Sequence, residues 1–211
     1  MSDKKVTVPQ KIAMDGGRVV LSPLIPYLRV KKYYLDGEQG REQIKKLGGA
    51  IIAANHQSFI DPFILNAVFW HRRFFYTASE VLISGVHGWL LTKAGCIKID
   101  RTKTDMSAIN RCVDVLKEGY LLGLFPQGTI AGGAAHGGMI MIAAMADVPI
   151  VPAFIKLRKN VLGRQQVVFG RPIYLKDYCS KKLPNKKEME TILNVFDQQM
   201  SACQNYMESN N

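Results

Sequence analysis

Short β-rich apolar runs alternating with helical patterns constrain this chain more than any other feature of it. The runs are Lys32 to Leu35, Ala50 to Ala54, Phe74 to Ala78, Cys96 to Ile99, Leu121 to Phe125, Ile150 to Ile155 and Gln165 to Phe169. Several are apolar at successive rather than alternate positions, as strands are when helices cover both faces of a parallel sheet. Between them, Met106, Ile109, Val113 and Leu116 recur at helical spacing within Asp105 to Glu118, and Gly119 follows as a stop. A second stripe, Met189, Ile192, Leu193, Phe196 and Met200, follows Pro184 and a lysine-rich turn and predicts a core-facing C-terminal helix. The expectation is an α/β fold: a single domain with a largely parallel mixed sheet flanked by helices.

An N-terminal segment, residues 1–34, stands apart from the domain expected over residues 35–211. Within it, Arg18 to Lys32 is apolar and closes on Arg29, Lys31 and Lys32. Its apolar part falls far short of the roughly 20 residues a spanning helix needs, and Pro23 and Pro26 interrupt it. Two readings stay open: a monotopic helix lying in the membrane interface with its cations at the headgroups, or a helix packed on the domain. The opening MSDKKVTVPQ lacks the apolar core of a secretory signal, which predicts a peripheral protein on the cytoplasmic face of a membrane.

The 211 residues suffice for one hydrophobic core, and 47% hydrophobic content fits neither disorder nor a polytopic membrane protein. A net charge of +11, from 28 Lys and Arg against 17 Asp and Glu, predicts attraction to a polyanion. Nucleic acid is not the expected partner, because no aromatic-basic interleaving or reading motif is present; an anionic lipid surface or an acidic carrier protein remains. Cys96, Cys112, Cys179 and Cys203 are irregularly spaced and read as free thiols in a reducing compartment. No metal is expected, since His71, His87 and His136 form no helical pairing with a carboxylate.

The chemistry concentrates in Ala53 to Pro62, which leaves a buried strand and enters a helix. Asp61 before Pro62 reads as an N-cap followed by a favoured first helical residue. The sharp turn this demands brings the carboxylate back toward Nδ1 of His56, leaving Nε2 to take a proton from an alcohol. That is the base and orienter of a triad with a substrate hydroxyl in place of the serine. The alternative is an Asp61 that only caps a helix beside a loop histidine.

Further segments extend the pattern. Asn55 to Asp61, with four residues between His and Asp, resembles the first motif of the glycerolipid acyltransferase family typified by 1-acylglycerol-3-phosphate acyltransferases. Gly95 to Arg101 resembles its second motif, Phe125-Pro126-Gln127-Gly128-Thr129 its third and Val148 to Pro152 its fourth, in matching order over about residues 50 to 155. The resemblance implies transfer of an acyl group from acyl-carrier protein or coenzyme A to a lysophospholipid-like hydroxyl, by direct attack and with no bound cofactor. His56 is then the base and Asp61 its partner. Arg101 is placed on the acceptor's phosphate, the loop of Pro126, Gln127, Gly128 and Thr129 on its glycerol end, and Asn55, Ser58 and Lys98 complete the expected substrate contacts. A guanidinium just past a strand, between Lys98 and Lys103, is a suitable anion site in its own right.

Two departures bear on the acceptor. The family's third motif carries Glu where this chain has Gln127, and Arg then Ser where it has Ile130 and Ala131. Gln127 hydrogen-bonds a hydroxyl but balances no cation, and Ile130 offers a phosphate nothing. Either Arg101 and nearby lysines hold the phosphate alone, with His136 a candidate to replace a lost cation, or the acceptor is not lysophosphatidic acid. The Gly- and Ala-rich run from Gly128 to Gly138 reads as a functional loop, and Phe63, Phe69 and Trp70 as candidate walls for the acyl chain. A noncatalytic lipid- or thioester-binding relative and a thioesterase are the rival functions.

Overall fold

The structure, a computed structural model, describes residues 7, 10–15, 30–58, 60–79, 91–93, 95–99, 105–126, 134–156 and 165–210. Seven strands, β1 (Lys31–Tyr34), β2 (Ala50–Ala54), β3 (Phe74–Ser79), β4 (Cys96–Ile99), β5 (Leu121–Leu124), β6 (Ile150–Lys156) and β7 (Gln166–Phe169), form one sheet in the order β1-β7-β6-β2-β5-β3-β4. All pairings are parallel except β6 with β7. Among the described residues, the helices with complete bounds are α1 (Gly37–Lys45), α2 (Asp61–Val68), α3 (Met106–Lys117), α4 (Ala134–Ala146) and α5 (Lys186–Ser209). The largely parallel mixed sheet expected from the sequence is the one observed.

The doubly apolar strands are explained by what covers them. On one face, Ile52, Ala54, Phe74, Tyr76 and Phe169 pack under Ile44 of α1 and Ile64, Leu65 and Val68 of α2. On the other, Ile51, Ala53, Phe75 and Leu122 pack under Cys112 and Leu116 of α3, Ile140 and Ala143 of α4, and Ile192 and Phe196 of α5. Every residue of β2 is buried, since it is central and covered on both sides. The stripe at Ile192, Phe196 and Met200 does face the core, and α5 opens on a reciprocal capping box between Asn185 and Glu188. Gly119, just past α3, takes a φ of +83°, the left-handed backbone that ends helices.

Three expectations change. Lys31 and Lys32 do not close an interfacial helix: with Tyr33 and Tyr34 they form β1, the sheet's edge beside β7. Further upstream, residues 10–15 are helical and docked, with Met14 buried in the core, Arg73 bonding Asp15 at 2.6 Å and Lys11 bridging Glu118 at 3.3 Å. Residues 16–29, the bulk of the candidate membrane segment, lie outside the described residues. The run Gly128 to Gly138 is not all loop either, because α4 already begins at Ala134.

At the start of β2 the chain is tied tightly. Arg72 donates to the carbonyls of Leu47 (2.7 Å), Gly119 (2.8 Å) and Gly48. Gly49 sits so close to α3 that a Cβ there would lie 2.0 Å from the Leu116 carbonyl oxygen.

Candidate active site

Because the central strands are parallel, β2 and β5 deliver the segments that follow them to the same edge, where open α/β sheets hold their ligands. β2 is prolonged by the side chain of Asn55, whose Nδ2 donates to the Ile155 carbonyl at 2.9 Å while Ile155 N–H donates back to Oδ1 at 2.7 Å. Asn55 is 5% exposed. Expected among the substrate contacts, its amide forms a side-chain tie to β6 that fixes where the next residue leaves the sheet.

That residue is His56, and the turn after it closes on Asp61. Asp61 is not the N-cap: Ile60 holds that position, and Asp61 is the first helical residue of α2, ahead of Pro62. Its carboxylate turns back instead, and Oδ2 accepts from Gln57 N–H (2.7 Å), Ser58 N–H (2.8 Å) and His56 Nδ1 (2.9 Å). Asp61 is completely buried. A carboxylate held there without partners costs several kcal/mol; three bonds to it, each worth about 1.5–3 kcal/mol, decide that it stays and that it points at the ring. Oδ1 accepts nothing among the described residues.

A carboxylate oxygen can only accept, so this contact places a hydrogen on Nδ1 and leaves Nε2 as the ring atom that a substrate can reach. The His56 side chain is 33% exposed against 0% for Asp61, so the orienting end of the pair is sealed and the ring opens outward. Phe125, just past β5, lies against the imidazole with ring centroids 4.6 Å apart. Pro126 follows it, buried.

His56, Asp61 and Ser58 are thus brought together, and Pro126 follows the phenylalanine that packs on the ring. Ser58 contributes its N–H to Asp61, and its Oγ accepts from Ile60 N–H at 3.4 Å. Lys98 is exposed near the end of β4, three strands from β2, or about 14 Å at ordinary strand spacing. Arg101, Gln127, Gly128 and Thr129, like Ile130 and Ala131, lie outside the described residues, as does the side chain of His136. Of the candidate acyl-chain walls, Phe63 is half exposed on α2. Phe69 packs on Phe74 and Phe169 and belongs to the core. A cavity of about 400 Å³ lined by Pro149, Tyr174, Lys176 and Cys179 opens at the start of β6, the far end of the sheet from His56.

None of the thiols is an activated nucleophile. Burial pushes Cys96 up to about 11, Cys112 and Cys203 up to about 12, and Cys179 upward as well. Among the described residues no group of three His, Cys, Asp or Glu side chains is arranged to hold a metal.

Sequence reasoning missed Tyr76 and Gly123. Tyr76 is buried on β3, opposite Gly123 of β5, and donates its hydroxyl hydrogen to the Pro62 carbonyl at 2.7 Å. A glycine inside a run of leucines was the available signal, since it marks a close approach to a strand.

The arrangement is a carboxylate-bonded imidazole at the open edge of a mostly parallel sheet, and the comparisons give the family of enzymes in which it stands. Residues 38–156, more than half of the chain, match the family model described as Acyltransferase, so the chain belongs to that family of enzymes. It is 25% identical over 178 residues to the 1-acyl-sn-glycerol-3-phosphate acyltransferase of Bacillus subtilis (strain 168), covering 80% of this chain and 87% of that protein. It is 31% identical over 151 residues to the enzyme of the same name from Streptococcus pneumoniae, covering 68% of this chain but only 56% of that one. A lyso-ornithine lipid O-acyltransferase from Pseudomonas aeruginosa is 33% identical over 121 residues, 55% of this chain and 46% of that one. The crystal structure of the 1-acyl-sn-glycerophosphate acyltransferase PlsC from Thermotoga maritima shares the fold, with a TM-score of 0.59 at 20% identity over 91% of this chain and 80% of that one.

Proposed function

We propose that this acyltransferase moves a fatty acyl group from an acyl thioester, on acyl-carrier protein or coenzyme A, to the hydroxyl of a lysophospholipid-like acceptor. The observation that carries the reading is the 2.9 Å contact of His56 Nδ1 with a carboxylate oxygen pinned by two further backbone N–H groups. In the reaction, Nε2 takes the acceptor's hydroxyl proton as its oxygen attacks the thioester carbonyl. The C–O bond forms, the C–S bond breaks, and the imidazolium returns the proton to the departing sulfur. Asp61 keeps Nδ1 protonated throughout and stabilises the transient imidazolium. The high thiol pKa values favour this direct transfer over a cysteine-linked acyl-enzyme.

Arg101 and Lys98 would supply the cations for an acceptor phosphate, and Pro126 to Thr129 the surface under its glycerol end. The missing charges at Gln127 and Ile130, together with the relative named for a lyso-ornithine lipid, favour including phosphate-free acceptors. The place of action is the cytoplasmic face of a membrane, bound peripherally through the +11 net charge; among the described residues no helix is long and apolar enough to cross a membrane.

The test is thiol release from acyl-carrier-protein and coenzyme A thioesters, with and without a series of lysolipids, for the native chain and His56→Ala. Acceptor-dependent release that falls by a factor of about 10³ or more in His56→Ala is the expected result. Release that ignores the acceptor would identify a thioesterase, binding without release a noncatalytic relative, and a fully active His56→Ala would remove the base assignment.

A further inference from the structure

The dyad's own bonds hold the carboxylate to the ring, but the first turn of α2 and the plane of the imidazole also rest on aromatic side chains from β3 and from just past β5. Tyr76 touches the supports of both. Its hydroxyl donates to the Pro62 carbonyl, on the residue after Asp61, at 2.7 Å. Its ring lies parallel to Phe125, with a 6° interplanar angle and centroids 6.4 Å apart, and Phe125 in turn packs against His56 at 4.6 Å. Phe74 also stacks on it, at 4.7 Å and 12°.

The space for this stack is made by a missing side chain. A Cβ at Gly123, the residue paired with Tyr76 across β3 and β5, would lie 2.5 Å from Tyr76 Cε1, 2.6 Å from Cδ1 and 2.7 Å from Phe74 Cε1. The tyrosine is buried, 6% exposed, so its hydroxyl needs an acceptor, and a helix carbonyl in the first turn of α2 is the one it has.

We propose that Tyr76 is a positioning residue for acyl transfer, holding the first turn of α2 through its hydroxyl and the imidazole plane through Phe125, with Gly123 as the slot that admits it. It touches no reacting atom. The assignment rests on His56 acting as base, and on the sensitivity of such catalysis to small displacements, where about 1 Å costs roughly a hundredfold. Losing one of two supports is expected to cost less, about tenfold.

The experiment compares the native chain with Tyr76→Phe, which keeps the stack and removes only the hydroxyl, and with Gly123→Ala, which displaces the ring. Steady-state acyl transfer is measured alongside 15N NMR of the His56 ring. The expected result for Tyr76→Phe is a kcat about tenfold lower, KM for both substrates within about twofold, and a His56 Nδ1–H resonance shifted from its native position. Gly123→Ala, where it folds, is expected to move the same resonance. Native kcat and an unmoved His56 resonance in Tyr76→Phe would overturn the proposal, as would a loss confined to KM. If His56→Ala retains full activity the base assignment fails separately, and an unmoved resonance in Tyr76→Phe would still refute the tie on structural grounds.

Discussion

At the start of β2 the guanidinium of Arg72 gathers the carbonyls of Leu47, Gly48 and Gly119; past its end the carboxylate of Asp61 gathers the N–H groups of Gln57 and Ser58 and the ring of His56. Each is a charged side chain folded onto backbone dipoles of the right sign. The difference lies in the third partner. Arg72 spends its bonds on backbone and so fastens a loop, whereas Asp61 spends one on a side chain that is itself one-third exposed. The same device therefore fastens a loop at one end of the strand and aims an imidazole at the other.

Substitutions at the two ends break the comparison in opposite ways. Asp61→Asn is expected to have the largest effect, a fall in kcat on the order of 10³, because the amide oxygen can accept the same three hydrogens but carries no negative charge to stabilise the imidazolium. Thiol-release kinetics with little change in thermal stability would show it. Arg72→Leu should do the reverse, costing about 2–3 kcal/mol in urea unfolding through the stranded carbonyls, with kcat per folded molecule nearly native.

A third instance of the device is smaller because it is exposed. Glu188 accepts from the N–H groups of Ser180 and Asn185 and from the Ser180 hydroxyl, and these bonds hold its pKa below the usual glutamate range. A carboxylate with a depressed folded pKa contributes stability above its unfolded pKa and loses it as pH falls through the folded one. Tm measured against pH should therefore drop on the acid side of the ordinary glutamate pKa, and Glu188→Gln should flatten that drop slightly. An identical profile in the variant would show that solvent screening cancels the bonds.

The sequence disclosed what repeats and hid what depends on contact. Apolar runs such as Ala50 to Ala54 predicted buried parallel strands, because a central strand covered twice has no polar face to show. The His56 to Asp61 spacing predicted the dyad, since five residues leave little choice of turn. The tie of Asn55 to Ile155 was not legible, because a polar residue beside a histidine carries no mark of the strand it will bond 100 residues away. Asp61 was read as a helix cap because Asx before Pro favours that role, and three nearer donors outbid the helix. Tyr76 and Gly123 were legible only as a pair across two strands.

The central claim is that His56 and Asp61 work as one unit, and a double-mutant cycle on kcat tests it directly. His56→Ala and Asp61→Asn are measured singly and together with one thioester and one lysolipid. A double variant no slower than His56→Ala is the predicted result, because an orienter has nothing to orient once the ring is gone. Losses that multiply in the double variant would show the two side chains acting independently and contradict the account.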